Sequence, residues 1–303
     1  MSLDPAAPLP TSSRLAVGIA TVGRADVTRR TLDILRGQTR RPDIIVVCAP
    51  LKEDVGEIGD RPDVSVVLGP RGLPRQRNAI LDALSDYDLV VFFDDDFVPH
   101  PDYLAEVEHA HRADPGLAMT TGRVIRDGIL GPGLSFEDAA LALDREPEAG
   151  PPTAVPHADV YNGYGCNMSV DLALARRHGV RFDESLPLYA WWEDVDFSRR
   201  LAAHGRIVRV ERACGVHLGF KSGRQSGVRL GYSQIANPIY LLRKGSCAPG
   251  RVAAQILRNV LANCAKAFRP EAYVDRRGRV RGNLRALGDL MRGRLSPVRI
   301  LEL

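Results

Sequence analysis

The chain has 303 residues, 45% of them hydrophobic and 26% charged, which allows a sizeable core and excludes fibrous, low-complexity and disordered classes. Five scattered cysteines without C-x-x-C spacing exclude a disulfide framework or a zinc ribbon as the organising device. The net charge of +4 is unevenly spread, because residues 243–303 hold 14 Lys and Arg against 4 Asp and Glu and leave the remainder net acidic.

A Pro- and Ser-rich lead-in, residues 1–13, is expected to be flexible, and it lacks the basic and apolar regions of a signal peptide. No apolar run reaches membrane-spanning length, so a cytoplasmic protein is expected. The apolar run 15–20 predicts a buried strand, ended by the turn Thr21-Val22-Gly23-Arg24. A helix over residues 27–38, capped by Asp26, and a second strand over 44–47 follow. The same alternation recurs as a strand at 64–68, a helix at 76–84 and a strand at 89–93. It predicts an α/β fold with a mainly parallel sheet flanked by helices, whose ligands bind where strands end. No dinucleotide fingerprint and no phosphate loop of the G-x-x-x-x-G-K-[ST] type is present.

The strand at 89–93 runs straight into Asp94-Asp95-Asp96. Three adjacent anions repel one another unless a cation sits among them, and Mg2+ or Mn2+ takes carboxylate oxygens while leaving positions open for phosphate. A solvated acidic turn is the alternative. Further along, Trp191-Trp192-Glu193-Asp194 opens a helical pattern. Acids suit the first turn of a helix, but adjacent tryptophans also offer flat faces to a sugar ring, and a carboxylate beside them can take a proton from a hydroxyl. Glu193 and Asp196 can equally cap the helix or pair with Arg199 or Arg200. His217 follows a strand-like segment at 207–210.

In this order and spacing the chain resembles the family 2 glycosyltransferases of the GT-A fold, from about residue 15 to residue 217. The resemblance implies a glycosyltransferase domain over 14–220 that binds a nucleotide-diphosphate sugar and a divalent metal. It makes Asp96 the foremost metal ligand, joined by Asp94 and His217, with Asp94 and Asp95 orienting the metal, its water or the donor ribose. Thr21, Gly23, Arg24, Arg77 and Asn78 would contact the nucleotide, and Gly165 and Asn167 would lie near the donor sugar. Trp191, Trp192 and Glu193 would face substrate, and Asp194 would act as general base in a single inverting displacement. Where many relatives carry an aspartate at the end of the second strand, this chain has Cys48-Ala49-Pro50.

Residues 221–303 form an expected basic loop and helical extension, with a glycine- and cation-rich loop at 221–229 suited to closing over a diphosphate. Val252, Ile256, Leu257, Val260, Leu261, Cys264 and Phe268 recur at helical spacing among arginines. Such a helix suits packing on the catalytic domain or peripheral contact with an anionic membrane at its inner face, where a glycan or lipid-linked acceptor in polysaccharide or glycoconjugate synthesis would be met; nucleic acid is not expected. Two other functions fit some of these residues: a Mg2+-dependent phosphatase with an aspartate nucleophile, and a non-catalytic sugar-nucleotide or nucleic-acid binding module.

Overall fold

A computed structural model describes residues 13–146, 157–221 and 226–303. The expected closing loop falls partly, and the lead-in almost wholly, outside these residues. Ser13 is described, is buried and donates to Glu108 Oε1 at 2.8 Å.

The sheet is laid down by strands β1 (Leu15–Ala20), β2 (Ile44–Ala49), β3 (Val64–Leu68) and β4 (Leu89–Asp94), all parallel. Beyond β4 come β5 (Phe97–Pro99), β6 (Leu117–Asp127), β7 (His157–Asp159), β8 (Asn167–Asp171) and β9 (Arg206–His217). The spatial order is β3-β2-β1-β4-β8-β6-β9-β5, with β7 also pairing β9. Because β8 is antiparallel to both β4 and β6, and β6 is parallel to β9, strands β1, β2, β3, β4, β6 and β9 all point one way.

Alternation along the strands divides the core between the two faces of the sheet. Leu15, Val17, Ile19, Leu89, Val91 and Phe93 face α1 (Ala25–Leu35) and α3 (Tyr103–Ala113). Ala16, Val46, Val90 and Phe92 face α2 (Leu73–Ala83), α5 (Leu172–Arg177) and α6 (Glu193–Leu201). The short helix α4 (Phe136–Leu143) closes a smaller cluster over β9.

Helix α1 begins at Ala25 with no side-chain cap; Asp26, expected to cap it, is an exposed acid in its first turn. Helix α2 starts earlier than expected, since Pro74 sits in its first turn, where its missing N–H costs nothing.

The C-terminal residues form α7 (Gly227–Lys244), α8 (Pro249–Lys266) and α9 (Arg276–Met291). Leu241, Cys247 and Val252 pack with Leu186, Ala190 and Val195, so the extension rests on the segment that leads into α6. No described helix is long and apolar enough to cross a membrane.

Candidate active site

The common direction of β1, β4, β6 and β9 brings their C-terminal ends to one edge. Ala20 is level with Asp94 across β1 and β4, and Asp127 is level with His217 across β6 and β9. This edge is where loops and helix N-termini converge in such sheets.

Asp94, Asp96 and His217 each offer one ligand atom to a common point, the atoms lying within 4.8 Å of one another. His217 Nε2 is 3.8 Å from Asp94 Oδ2 and 3.5 Å from Asp96 Oδ1. Every other donor atom of the three is held by the protein. Asp94 Oδ1 accepts from Arg77 at 3.2 Å, Asp96 Oδ2 from the Phe220 N–H at 2.9 Å, and His217 Nδ1 lies 2.9 Å from Asp127 Oδ1. A carboxylate behind a ligand imidazole fixes its tautomer and aim. Burial works against a charged imidazole at His217, yet the Asp127 and Asp96 carboxylates outweigh it and hold the ring up to about 10. Two carboxylate oxygens and one imidazole nitrogen gathered at one point are a donor set that suits Mn2+ or Mg2+.

Asp95 points the other way. It is fully buried, accepts from Thr21 Oγ1 at 2.6 Å and pairs with Arg24 at 2.8 Å. Burial pushes its carboxyl up to about 7 against the Arg24 guanidinium. The structure therefore sets Asp95 and Thr21 apart from the Asp94, Asp96 and His217 set; Asp95 lies in the turn between β4 and β5 with its carboxylate buried, where it anchors Arg24, which in turn reaches Asp96 Oδ2 at 3.4 Å.

A cavity of about 450 Å³ opens beside the acid cluster, lined by Arg77, Asp94, Gly165, Trp191, Trp192, Glu193, Asp194 and His217 among others. Asp194 sits in the first turn of α6, with Oδ2 accepting the Gly165 N–H at 3.0 Å and Oδ1 the Val195 N–H at 2.8 Å. Burial raises its pKa against these bonds and against Arg77. Glu193 is buried against Arg77, and burial pushes it up to about 8 although the guanidinium pulls the other way. Arg77 also donates to the Gly165 carbonyl at 2.6 Å, so one buried guanidinium ties Asp94, Glu193 and the Gly165 turn together. A Cβ on Gly165 would lie 3.3 Å from Glu193 and 3.4 Å from Arg77, which leaves little room there for any other residue.

The segment feeding α6 is strained. Leu188, Ala190 and Trp192 all have positive φ, at 61°, 52° and 73°. Non-glycine residues held this way cluster at functional sites because surrounding contacts must force them. Here the force comes from the Leu73 N–H, which donates to the Leu188 carbonyl at 2.8 Å, and from Asn237, which donates to the Trp191 carbonyl at 2.8 Å. Trp191 Nε1 is buried with no partner among the described residues.

Asn78 and Asn167 do not line the cavity. Asn78 is bonded to Phe182 and Glu184, and Asn167 to Thr121 and Gly122, so both amides are used in packing. Asp196 likewise is buried against Arg200 and Lys244. Gly23, at φ 66°, donates to Asp54 Oδ1 at 2.7 Å.

Sequence reasoning assigned no site role to four residues that contribute. Asp127 is named by no motif, though its register opposite His217 would have shown it once β6 was placed. Asp54, in a short helical turn after β2, brings a buried carboxylate to the β1 turn although Cys48-Ala49-Pro50 ends the strand without one. Arg251 and Arg258 of α8 also line the cavity.

No protein-family model matches the chain, and no curated protein matches it. Solved structures do. The mannosyltransferase PcManGT from Pyrobaculum calidifontis, in complex with GDP-Man and Mn2+, is similar at 16% identity and a TM-score of 0.55, over 99% of this chain and 88% of that one. TarS 1-349 from S. aureus, in complex with UDP-GlcNAc, is similar at 15% identity and a TM-score of 0.54, over 95% and 82%. GalNAc-T7 with UDP, GalNAc and Mn2+ is similar at 13% identity and a TM-score of 0.52, over 92% of this chain and 56% of that one. At these identities the likeness establishes the GT-A fold.

Proposed function

We propose that the chain is a metal-dependent glycosyltransferase that moves a sugar from a nucleoside-diphosphate sugar to an acceptor hydroxyl with inversion at the anomeric carbon. One observation carries the reading: Asp94 and His217, which form a metal donor set with Asp96, line one cavity together with the half-buried Asp194 and two tryptophans. The sugar nucleotides and Mn2+ held by the structurally similar enzymes agree with it.

Asp94, Asp96 and His217 would hold a divalent cation, Mn2+ or Mg2+, whose chemistry there is to neutralise charge on the departing diphosphate. The rest belongs to the chain's own side chains. Trp191 and Trp192 line the cavity and present ring faces to the sugar. Asp194 takes the proton of the acceptor hydroxyl as its oxygen bonds to the anomeric carbon, while the bond from that carbon to the diphosphate oxygen breaks and the nucleoside diphosphate departs. The two N–H donors on Asp194 fix its aim, and burial makes it a stronger base than a surface aspartate. Asp95, Arg24 and Arg77 act by positioning. Synthesis of a polysaccharide or glycoconjugate is the setting such a reaction suits.

The test is Asp194→Asn. Transfer is expected to fall about 10²- to 10⁴-fold, the usual worth of a general base, with nucleotide binding retained. Unchanged transfer in this variant, or a product of retained anomeric configuration, contradicts the proposal. Binding of sugar nucleotides without turnover by the unaltered chain, across a broad acceptor panel, favours the binding-module reading.

A further inference from the structure

Helix α8 divides its apolar residues between two faces. Val252, Ile256 and Val260 pack inward, whereas Leu257 and Leu261 are 59% and 58% exposed, and Phe268, just past the end of the helix, is 86% exposed. The face that meets the cavity carries Arg251, Ala254, Gln255 and Arg258, at the i, i+3, i+4 and i+7 spacing of one helix side. Continued by three residues, that side reaches Leu261, flanked by Leu257, and the chain just past the end of the helix adds Phe268. One helix surface therefore passes from two arginines at the cavity to an exposed apolar track.

Neither Arg251 nor Arg258 has a carboxylate partner among the described residues. Arg251 stacks on the Tyr161 ring at 3.9 Å, and Arg199 stacks on the same ring at 4.4 Å, so two like charges share one aromatic. That arrangement is favoured by an anion between or beside them. Val252, next to Arg251, packs in the cluster that includes Tyr161 and Trp192, which sets α8 against the tryptophan part of the cavity.

We propose that α8 supplies the acceptor subsite and that the acceptor is an anionic amphiphile: its phosphate or diphosphate is held by Arg251 and Arg258, and its alkyl chain runs over Leu257, Leu261 and Phe268. The assignment of this subsite to an acceptor rests on the glycosyltransferase reading; the binding of an alkyl phosphate there does not. An amphiphile explains both halves of the track, since a free anion has no use for the exposed leucines and a neutral glycan leaves the two guanidinium charges unmatched.

The chain's two tryptophans, Trp191 and Trp192, both line the cavity, so intrinsic fluorescence reports on it directly. The full chain is titrated with dodecyl phosphate below its micelle concentration, with dodecyl maltoside and with inorganic phosphate, in Mn2+ and a saturating nucleoside diphosphate. Dodecyl phosphate is expected to bind saturably, at least tenfold tighter than either control, and Arg251→Gln/Arg258→Gln is expected to lose that tenfold while keeping its response to nucleotide and Mn2+. Leu261→Asp is expected to weaken dodecyl phosphate and leave inorganic phosphate alone. Equal binding of the maltoside overturns the anion part, and equal binding of inorganic phosphate overturns the alkyl part. An equal loss of nucleotide affinity in the double variant overturns the assignment by giving both arginines to the donor. If the unaltered chain binds dodecyl phosphate and no nucleotide, the glycosyltransferase reading fails and the alkyl-phosphate site stands.

Discussion

Asp127 makes no direct approach to the cavity's reacting centre, yet its Oδ1 bonds His217 Nδ1 and its Oδ2 accepts the Tyr164 hydroxyl at 3.0 Å. Losing the carboxylate leaves the His217 ring free to turn, and outer carboxylates of this kind are worth about 10- to 100-fold in metal affinity. Asp127→Ala is therefore expected to raise the Mn2+ concentration for half-maximal activity by about that factor, with maximal rate largely recovered at high Mn2+. An unchanged metal requirement would show that His217 is no ligand. For Asp194 the expectation concerns pH. Its folded-state pKa is raised by burial, and only the ionised form accepts a proton, so the rate should fall as pH drops through a value above the ordinary aspartate range. A pH–rate profile with its acidic limb at that ordinary value would contradict the assignment.

At the scale of elements, α7 and α9 cross with glycine against backbone. A Cβ on Gly282 would fall 2.1 Å from the Val228 carbonyl oxygen, and one on Gly231 2.1 Å from that of Arg279. Neither contact can relax through a side chain, so Gly282→Ala must push the helices apart. It is expected to cost about 1–3 kcal/mol of stability as overpacking, read as a lowered midpoint of thermal unfolding; an unchanged midpoint would mean that the crossing is looser than described. Gly282 directly follows the basic run at 276–281, so the arginine-rich start of α9 leads straight into the residue that seats the helix on α7. The parallel strands were legible because apolar runs alternate with amphipathic helices at regular intervals. Strand β8 was not, since Asn167, Ser169 and Asp171 give it a polar pattern. Those residues are buried because Thr121, Thr120, His111 and the first turn of α5 satisfy them across the sheet, a pairing between segments far apart in the chain.

Over the whole molecule, the strand ends and the helix that faces them come from distant parts of the sequence, and this sets what a sequence shows of the site. Asp94 and Asp96 stand out as acids ending an apolar strand, and Asp194 as an acid beside tryptophans. Asp95, Thr21, Asn78 and Asn167 lie in the same motifs, but only the three-dimensional packing shows that their polar atoms are spent within the protein. Arg251 and Arg258 belong to no motif and reach the cavity because α7 carries the chain back over the strained segment 188–192. The central claim, that this edge of the sheet holds a nucleotide through a metal, is tested most directly by thermal unfolding. Nucleoside diphosphates and their sugars, with UDP, GDP, CDP and dTDP each represented, are added with and without Mn2+. One nucleotide class is expected to raise the unfolding midpoint only with Mn2+, by the equivalent of about 2.7 kcal/mol at a hundredfold excess over its dissociation constant, and Asp96→Ala is expected to abolish the shift. No stabilisation by any nucleotide at millimolar concentration, or an equal shift without metal and in Asp96→Ala, would contradict the account.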